Sequence, residues 1–309
     1  MQAIVEGSNP EALLKAARML REGQAIGMPT ETVYGLATDA TCEEAVTRVF
    51  QIKNRPRFDP LILHLPHLEA VMEWTLDMPP PLKKLGQAFW PGPLTLLLPK
   101  VPEIPSITTS GLPRAAFRVP DHPVALALLQ QIDFPLAAPS ANPFGYVSPT
   151  TAQHVAAQLG GVVSMILDGG PCAVGLESSI VGLESDEQLT IYRLGGLSRE
   201  AIEKVAGPAV LQLNRSSDPA SPGQLKKHYA PGKPFRLGNL ESLLSTSNAH
   251  SIALIRFQKP LDIADTRIQV QEVLSPNADM EEAARNLFRL LRKLDEDPAI
   301  EEVLAEEVP

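Results

Sequence analysis

The chain has 309 residues, 44% apolar and 20% charged, with a formal charge of −9; these are the values of a soluble globular protein of one large or two ordinary domains. The charge is −6 over residues 234–309 and −3 over residues 1–233, which argues against a tight non-specific nucleic-acid binder. No apolar run reaches the roughly 18 residues of a membrane span and no basic-then-apolar leader opens the chain. Cys42 and Cys172 have neither disulfide-framework nor zinc spacing, so a cytoplasmic protein without a metal centre of its own is expected.

Residues 11–22 place Leu13, Leu14, Ala17, Met19 and Leu20 at helical spacing, with Ser8 or Asn9 as cap and Pro10 in the first turn. A strand is predicted over 25–28. It runs into Pro29-Thr30-Glu31-Thr32-Val33-Tyr34-Gly35-Leu36, where three hydroxyls, a carboxylate and a glycine gather. Side chains at a strand's C-terminal edge line the usual ligand crevice of α/β sheets. In isolation, Thr30, Glu31 and Thr32 could equally cap a helix. A helix over 43–51 leads to Lys53-Asn54-Arg55-Pro56-Arg57-Phe58-Asp59-Pro60, a proline-bounded loop. By themselves its cations could be a solvated surface. Arg, however, suits bidentate phosphate contact and Lys a point-charge contact.

A strand over 61–65 carries His64. His67 follows across Pro66, which is not metal-pair spacing on a helix face. Further strands are predicted over 94–98, 115–119, 136–138, 165–168, 179–183 and 189–194, with helices over 81–89, 124–131, 152–158 and 198–205. Arg118 and Arg193 stand at strand ends, where each either pairs with a buried carboxylate or binds an anionic substrate. Pro139-Ser140-Ala141-Asn142-Pro143, then Gly145, Ser148 and Thr150, has the small hydroxyl residues of a phosphate- or amide-binding loop. There is no Walker A sequence, no dinucleotide glycine fingerprint, and no nucleophile elbow around Ser178. His154 reads as structural.

Residues 1–207 therefore read as one α/β domain with a mixed, twisted sheet. Residues 208–233 are rich in Pro, Gly, Ser and Asn and read as a linker, yet contain Lys226-Lys227-His228-Tyr229, which a passive spacer does not need. Residues 234–309 form a small α/β domain, with strands over 252–257 and 267–273, an amphipathic helix over 279–294, and another strand near the last residues.

Seven islands, in order, resemble the YrdC/Sua family of threonylcarbamoyl-AMP synthases: 29–36, 53–60, Trp90-Pro91-Gly92-Pro93-Leu94-Thr95, Arg118-Val119-Pro120, 138–142, Gly175-Leu176-Glu177-Ser178-Ser179 and Tyr192-Arg193-Leu194-Gly195. The linker segment 221–231 resembles that of the longer, two-domain form. The resemblance implies a YrdC-like open twisted mixed sheet with flanking helices and a concave basic cleft, plus a small C-terminal Rossmann-like α/β domain. It also implies a reaction in which L-threonine, bicarbonate and ATP give threonylcarbamoyl-AMP and pyrophosphate, the product then serving tRNA modification at adenosine 37.

By the same resemblance, Thr32, His64, Arg118, Ala138 and Ser178 contact threonine, with Arg118 on its carboxylate. Arg55, Asp59, Ser140, Ser148 and Arg193 contact ATP, Lys53 stands near the phosphates, and Tyr229 closes over the nucleotide from the linker. Lys53 and Arg55 are the candidate catalytic residues. Mg2+ is expected to arrive with ATP, and a tRNA threonylcarbamoyl transferase complex to take the product. Asp59 stands where the family often has a smaller polar residue. The family also continues past Pro309 with a Gly-rich segment, so the second domain is expected to be truncated or divergent.

Two other readings fit the same residues. One is an RNA-binding or ribosome-assembly protein that uses the basic cleft, which the net charge opposes. The other is a different carbamoyl-adenylate-forming enzyme, although such proteins usually carry further domains.

Overall fold

The computed structural model describes residues 4–7, 9–184, 187–212, 222 and 230–309. The larger domain runs β1 (Ile4–Gly7), α1 (Pro10–Arg21), β2 (Ile26–Met28), β3 (Gly35–Asp39), α2 (Glu43–Lys53), β4 (Ile62–His64), α3 (Leu68–Glu73), α4 (Pro80–Phe89), β5 (Leu94–Pro99) and β6 (Arg114–Arg118). It continues α5 (Pro123–Leu129), β7 (Leu136–Ala137), α6 (Ala152–Leu159), β8 (Met165–Asp168), β9 (Ser179–Leu183), β10 (Leu189–Arg193), α7 (Arg199–Ala206) and β11 (Val210–Leu211). The smaller domain follows with β12 (Phe235–Leu237), α8 (Leu240–Thr246), β13 (Ile252–Arg256), β14 (Ile268–Val273), α9 (Met280–Glu296) and β15 (Glu302–Ala305).

Local chemistry sets these boundaries. Asn9, not Ser8, caps α1, its side chain accepting from the Ala12 N–H at 2.9 Å, with Pro10 in the first turn. Thr151, Ser198 and Asp279 cap α6, α7 and α9 in the same way. The sequence reading missed β3 because Gly35, Thr38 and Asp39 break any apolar alternation. It is a strand because it is clamped on both sides, antiparallel to β2 and to β7. Periodicity also gives no sign of the six-residue helix α3, nor of β11, which lies parallel to β10 at the edge of the large sheet.

The described residues form an eleven-stranded sheet in the order β1-β8-β2-β3-β7-β4-β6-β5-β9-β10-β11. It mixes parallel pairs such as β4 with β6 and antiparallel pairs such as β4 with β7. Its central strands are buried on both faces, as a sheet covered by helices requires. One face packs Leu63, Leu96, Phe117 and Ile191 against α4 and α7 residues such as Leu82 and Ile202. On the other face, α1 and α5 cover Ile26, Met28 and Leu136. The second sheet is parallel, in the order β12-β15-β13-β14.

The two domains share a hydrophobic cluster. Val33 and Val147 of the first join Phe288, Leu291 and Leu294 of α9. Gly175 has φ +75°, and a Cβ there would lie 2.7 Å from the Arg285 backbone of α9, so glycine is required where the helix crosses. No helix among the described residues is long and apolar enough to cross a membrane.

Candidate active site

The middle of the large sheet brings strand ends together. β4 and β6 run parallel with His64 and Arg118 as register partners. Beside them, the Ala138 N–H after β7 donates to the Ile62 carbonyl at 3.0 Å, and the turn after β2 places Thr30 and Thr32 at the same edge. Together with Arg55, Ser140, Glu177, Arg193 and Pro222, these residues line a narrow cleft.

Thr30 organises the first wall. Its hydroxyl donates to the Val33 carbonyl at 2.6 Å and accepts from the Thr32 and Val33 N–H groups at 3.2 Å. It also lies 2.9 Å from the Thr32 hydroxyl. The turn is thereby closed on itself, and both threonines are buried.

The cations in the wall are held by buried carboxylates. Arg118 Nη2 stands 2.6 Å from Glu31 Oε1, while Arg118 Nε and Glu31 Oε2 have no hydrogen-bond partner among the described residues. Arg55 pairs with Asp59 at 2.8 Å and also donates to the Asp59 and Pro60 carbonyls at 3.0 and 2.9 Å. A buried guanidinium needs such compensation. These contacts use Nε and Nη2, and Arg55 lines the cleft. Asp59 is wholly buried behind Arg55 and orients it without lining the wall.

Lys53 ends α2 instead of lying in the loop after it. Its ammonium donates to the backbone carbonyls of Ser140 and Asn142. It is almost wholly buried, and burial, then the nearby Arg55 charge, lowers its pKa well below the ordinary lysine value. Lys53 thus pins the 140–142 loop from behind the wall. His64 lines the cleft as a neutral imidazole. Burial, then the Arg118 charge, lowers its pKa to about 3, and its Nδ1 has no hydrogen-bond partner among the described residues.

Ser178 also stands behind the wall. Its hydroxyl lies 2.7 Å from that of Thr95 and accepts from Arg193 Nη2 at 3.1 Å, while its carbonyl accepts from Arg193 Nε at 2.9 Å. Ser148 is buried, and its hydroxyl donates to Glu177 Oε1 at 2.8 Å. Of the residues the sequence singled out, Thr32, Arg55, His64, Arg118, Ala138, Ser140 and Arg193 face the cleft. Lys53, Asp59, Ser148 and Ser178 support it. Tyr229, with Lys226, Lys227 and His228, lies outside the described residues.

The sequence reading did not single out Glu177 or Pro222. Glu177 lies within a quoted island, and its sequence signal is a lone carboxylate between a glycine and two serines.

Two family models match: "Telomere recombination" over residues 18–195, and "Threonylcarbamoyl-AMP synthase, C-terminal domain" over residues 197–309. The threonylcarbamoyl-AMP synthase of Pyrococcus abyssi is 38% identical over 308 aligned residues, covering 95% of this chain and 88% of that protein. The chain belongs to the threonylcarbamoyl-AMP synthase family. The threonylcarbamoyl-AMP synthase of Bacillus subtilis is 35% identical, covering 98% of this chain and 89% of that protein. A crystal structure of P. abyssi Sua5 complexed with L-threonine superposes with a TM-score of 0.90 at 34% identity, covering 99% of this chain and 93% of that one. The YrdC-like mixed α/β fold expected from the sequence is therefore established.

Proposed function

We propose that the cleft forms threonylcarbamoyl-AMP from L-threonine, bicarbonate and ATP. The observation that carries this reading is a cleft lined by three guanidiniums, hydroxyls and His64, with no nucleophile–base pair among the described residues. Threonine's amine and bicarbonate give a carbamate, with loss of water. One carbamate oxygen then attacks the α-phosphorus of ATP, and pyrophosphate leaves. The attacking group is already anionic, so the protein's task is to hold two anions together and stabilise developing charge.

Arg118, fixed by Glu31, suits the threonine carboxylate, with Thr32, His64 and Ala138 around the rest of the amino acid. Arg55 and Arg193, with Ser140, suit the nucleotide and its phosphates. Lys53 acts through the 140–142 loop it pins, Asp59 through Arg55, Ser178 through Arg193 and Ser148 through Glu177.

Mg2+ would arrive on the triphosphate with its waters, as a hard cation bound mainly through phosphate oxygens does. When bound, the ion supplies charge neutralisation on the phosphates. The reaction belongs in the cytoplasm, where ATP and tRNA are available. A tRNA threonylcarbamoyl transferase complex is the fitting recipient of the labile product, and any RNA contact at the cleft is weak and transient.

The test is pyrophosphate release from ATP and bicarbonate with and without L-threonine. Threonine-dependent release supports the reading. Release that ignores threonine points to another acceptor and overturns it.

A further inference from the structure

Three guanidiniums line the cleft, and an amino acid brings an ammonium group as well as a carboxylate. That ammonium needs an anion among these cations. Glu31 and Asp59 are already committed, buried against Arg118 and Arg55. Glu177 is the acidic side chain that lines the cleft among the described residues.

Its carboxylate is held by a hydrogen bond at one oxygen, while the other stands in a long ion pair with Arg193 and makes no hydrogen bond to it. Oε1 accepts from the Ser148 hydroxyl at 2.8 Å. Oε2 lies 3.8 Å from Arg193 Nη2, beyond hydrogen-bond distance, and the side chain keeps 12% of its surface exposed. The backbone is fixed too. The Glu177 carbonyl accepts from the Gly196 N–H at 2.8 Å, and a Cβ at Gly195 would lie 2.1 Å from that carbonyl, which a side chain there could not tolerate.

We propose that Glu177 receives the ammonium group of the amino-acid substrate and that Ser148 holds it in that pose. The inference rests on the threonine reading above. It asks no covalent step of Glu177: the carboxylate accepts hydrogen bonds from the ammonium while Arg118 takes the other end of the zwitterion. An uncharged or amine-free analogue gains nothing from it.

The experiment is calorimetric titration of the full chain with L-threonine, with 3-hydroxybutanoate (the same skeleton without the amine), and with ATP. Loss of a charged hydrogen bond is expected to weaken L-threonine binding to Glu177→Gln about tenfold to a hundredfold, leaving 3-hydroxybutanoate and ATP unchanged. Glu177→Asp is expected to recover part of the loss. Ser148→Ala, which keeps the carboxylate but removes its clamp, is expected to shift threonine binding in the same direction by less. Equal weakening of all three ligands in Glu177→Gln would assign Glu177 to holding Arg193 and overturn the inference, as would unchanged threonine affinity. A wild-type chain that fails to bind L-threonine overturns the substrate reading and this inference with it. A wild type that binds beside an unaffected Glu177→Gln overturns this inference alone.

Discussion

Arg292 of the second domain donates from Nε to the backbone carbonyl of Ser148 in the first, at 3.1 Å. The same guanidinium donates to the Val147 carbonyl and, at 3.0 Å, to Gln158 Oε1, and it stacks 5.1 Å from the Tyr146 ring centroid. It is fully buried. Because Ser148 clamps Glu177, the docking of α9 reaches the cleft through two hydrogen bonds.

Replacing Arg292 by Met keeps the bulk of the side chain and strands the Val147 and Ser148 carbonyls. Each lost charged hydrogen bond is expected to cost roughly 1.5–3 kcal/mol, read as a lower midpoint in denaturant unfolding. Arg292→Lys is expected to recover only part, because an ammonium cannot reproduce the planar fork.

Lys53→Met is expected to lower activity by loosening the 140–142 loop, so that KM rises for both ATP and threonine and stability falls too. Each buried carbonyl left unpaired costs about 1–3 kcal/mol. Arg55→Ala is expected to raise KM for ATP about ten- to a hundredfold with little change for threonine, from the loss of a charged contact. Steady-state kinetics with each substrate varied in turn separates the two patterns.

Arg118→Ala leaves Glu31 buried and uncompensated, so it is expected to destabilise the fold by about 3–5 kcal/mol as well as abolish threonine use. Glu31→Gln keeps the guanidinium but loses the ion pair that aims it. A higher KM for threonine with a smaller loss of stability is expected. Comparing melting temperature with threonine KM for the two variants distinguishes aiming from folding.

His64, His122 and His154 all have pKa values lowered by burial, His64 to about 3 and His154 to about 4. The folded chain keeps these imidazoles neutral, whereas the unfolded chain protonates them near 6.5. Between those values the unfolded state binds more protons, so stability is expected to fall as pH drops below about 6.5. His64→Gln is expected to reduce the slope of melting temperature against pH between 6 and 4, on a scale of about one proton's linkage.

Where the sequence carries periodicity, its elements coincide with those of the structure. Leu94 to Leu98 read as a strand and are one, and the spacing from Leu13 to Leu20 gives α1. β3 was illegible because its stability comes from neighbours distant in sequence. For Arg55 and Arg118 the residue types alone leave a surface charge, a buried ion pair and a ligand contact open; the family resemblance points to the cleft, and the fold shows each guanidinium paired with a buried carboxylate as well as lining it. The direction of Lys53 was not legible. A flexible side chain at a helix end serves a phosphate or a carbonyl equally well on paper, and only the fold brings Ser140 and Asn142 beneath it. Glu177 was overlooked for a related reason, since its role depends on Ser148 and on how α9 seats behind it.

The most direct measurement is mass spectrometry of the adenylate formed from ATP, L-threonine and 13C-bicarbonate. The account expects a threonylcarbamoyl adenylate carrying the label, with pyrophosphate released in equal amount. An unlabelled threonyl adenylate, formed by attack of the amino acid's own carboxylate, would contradict it.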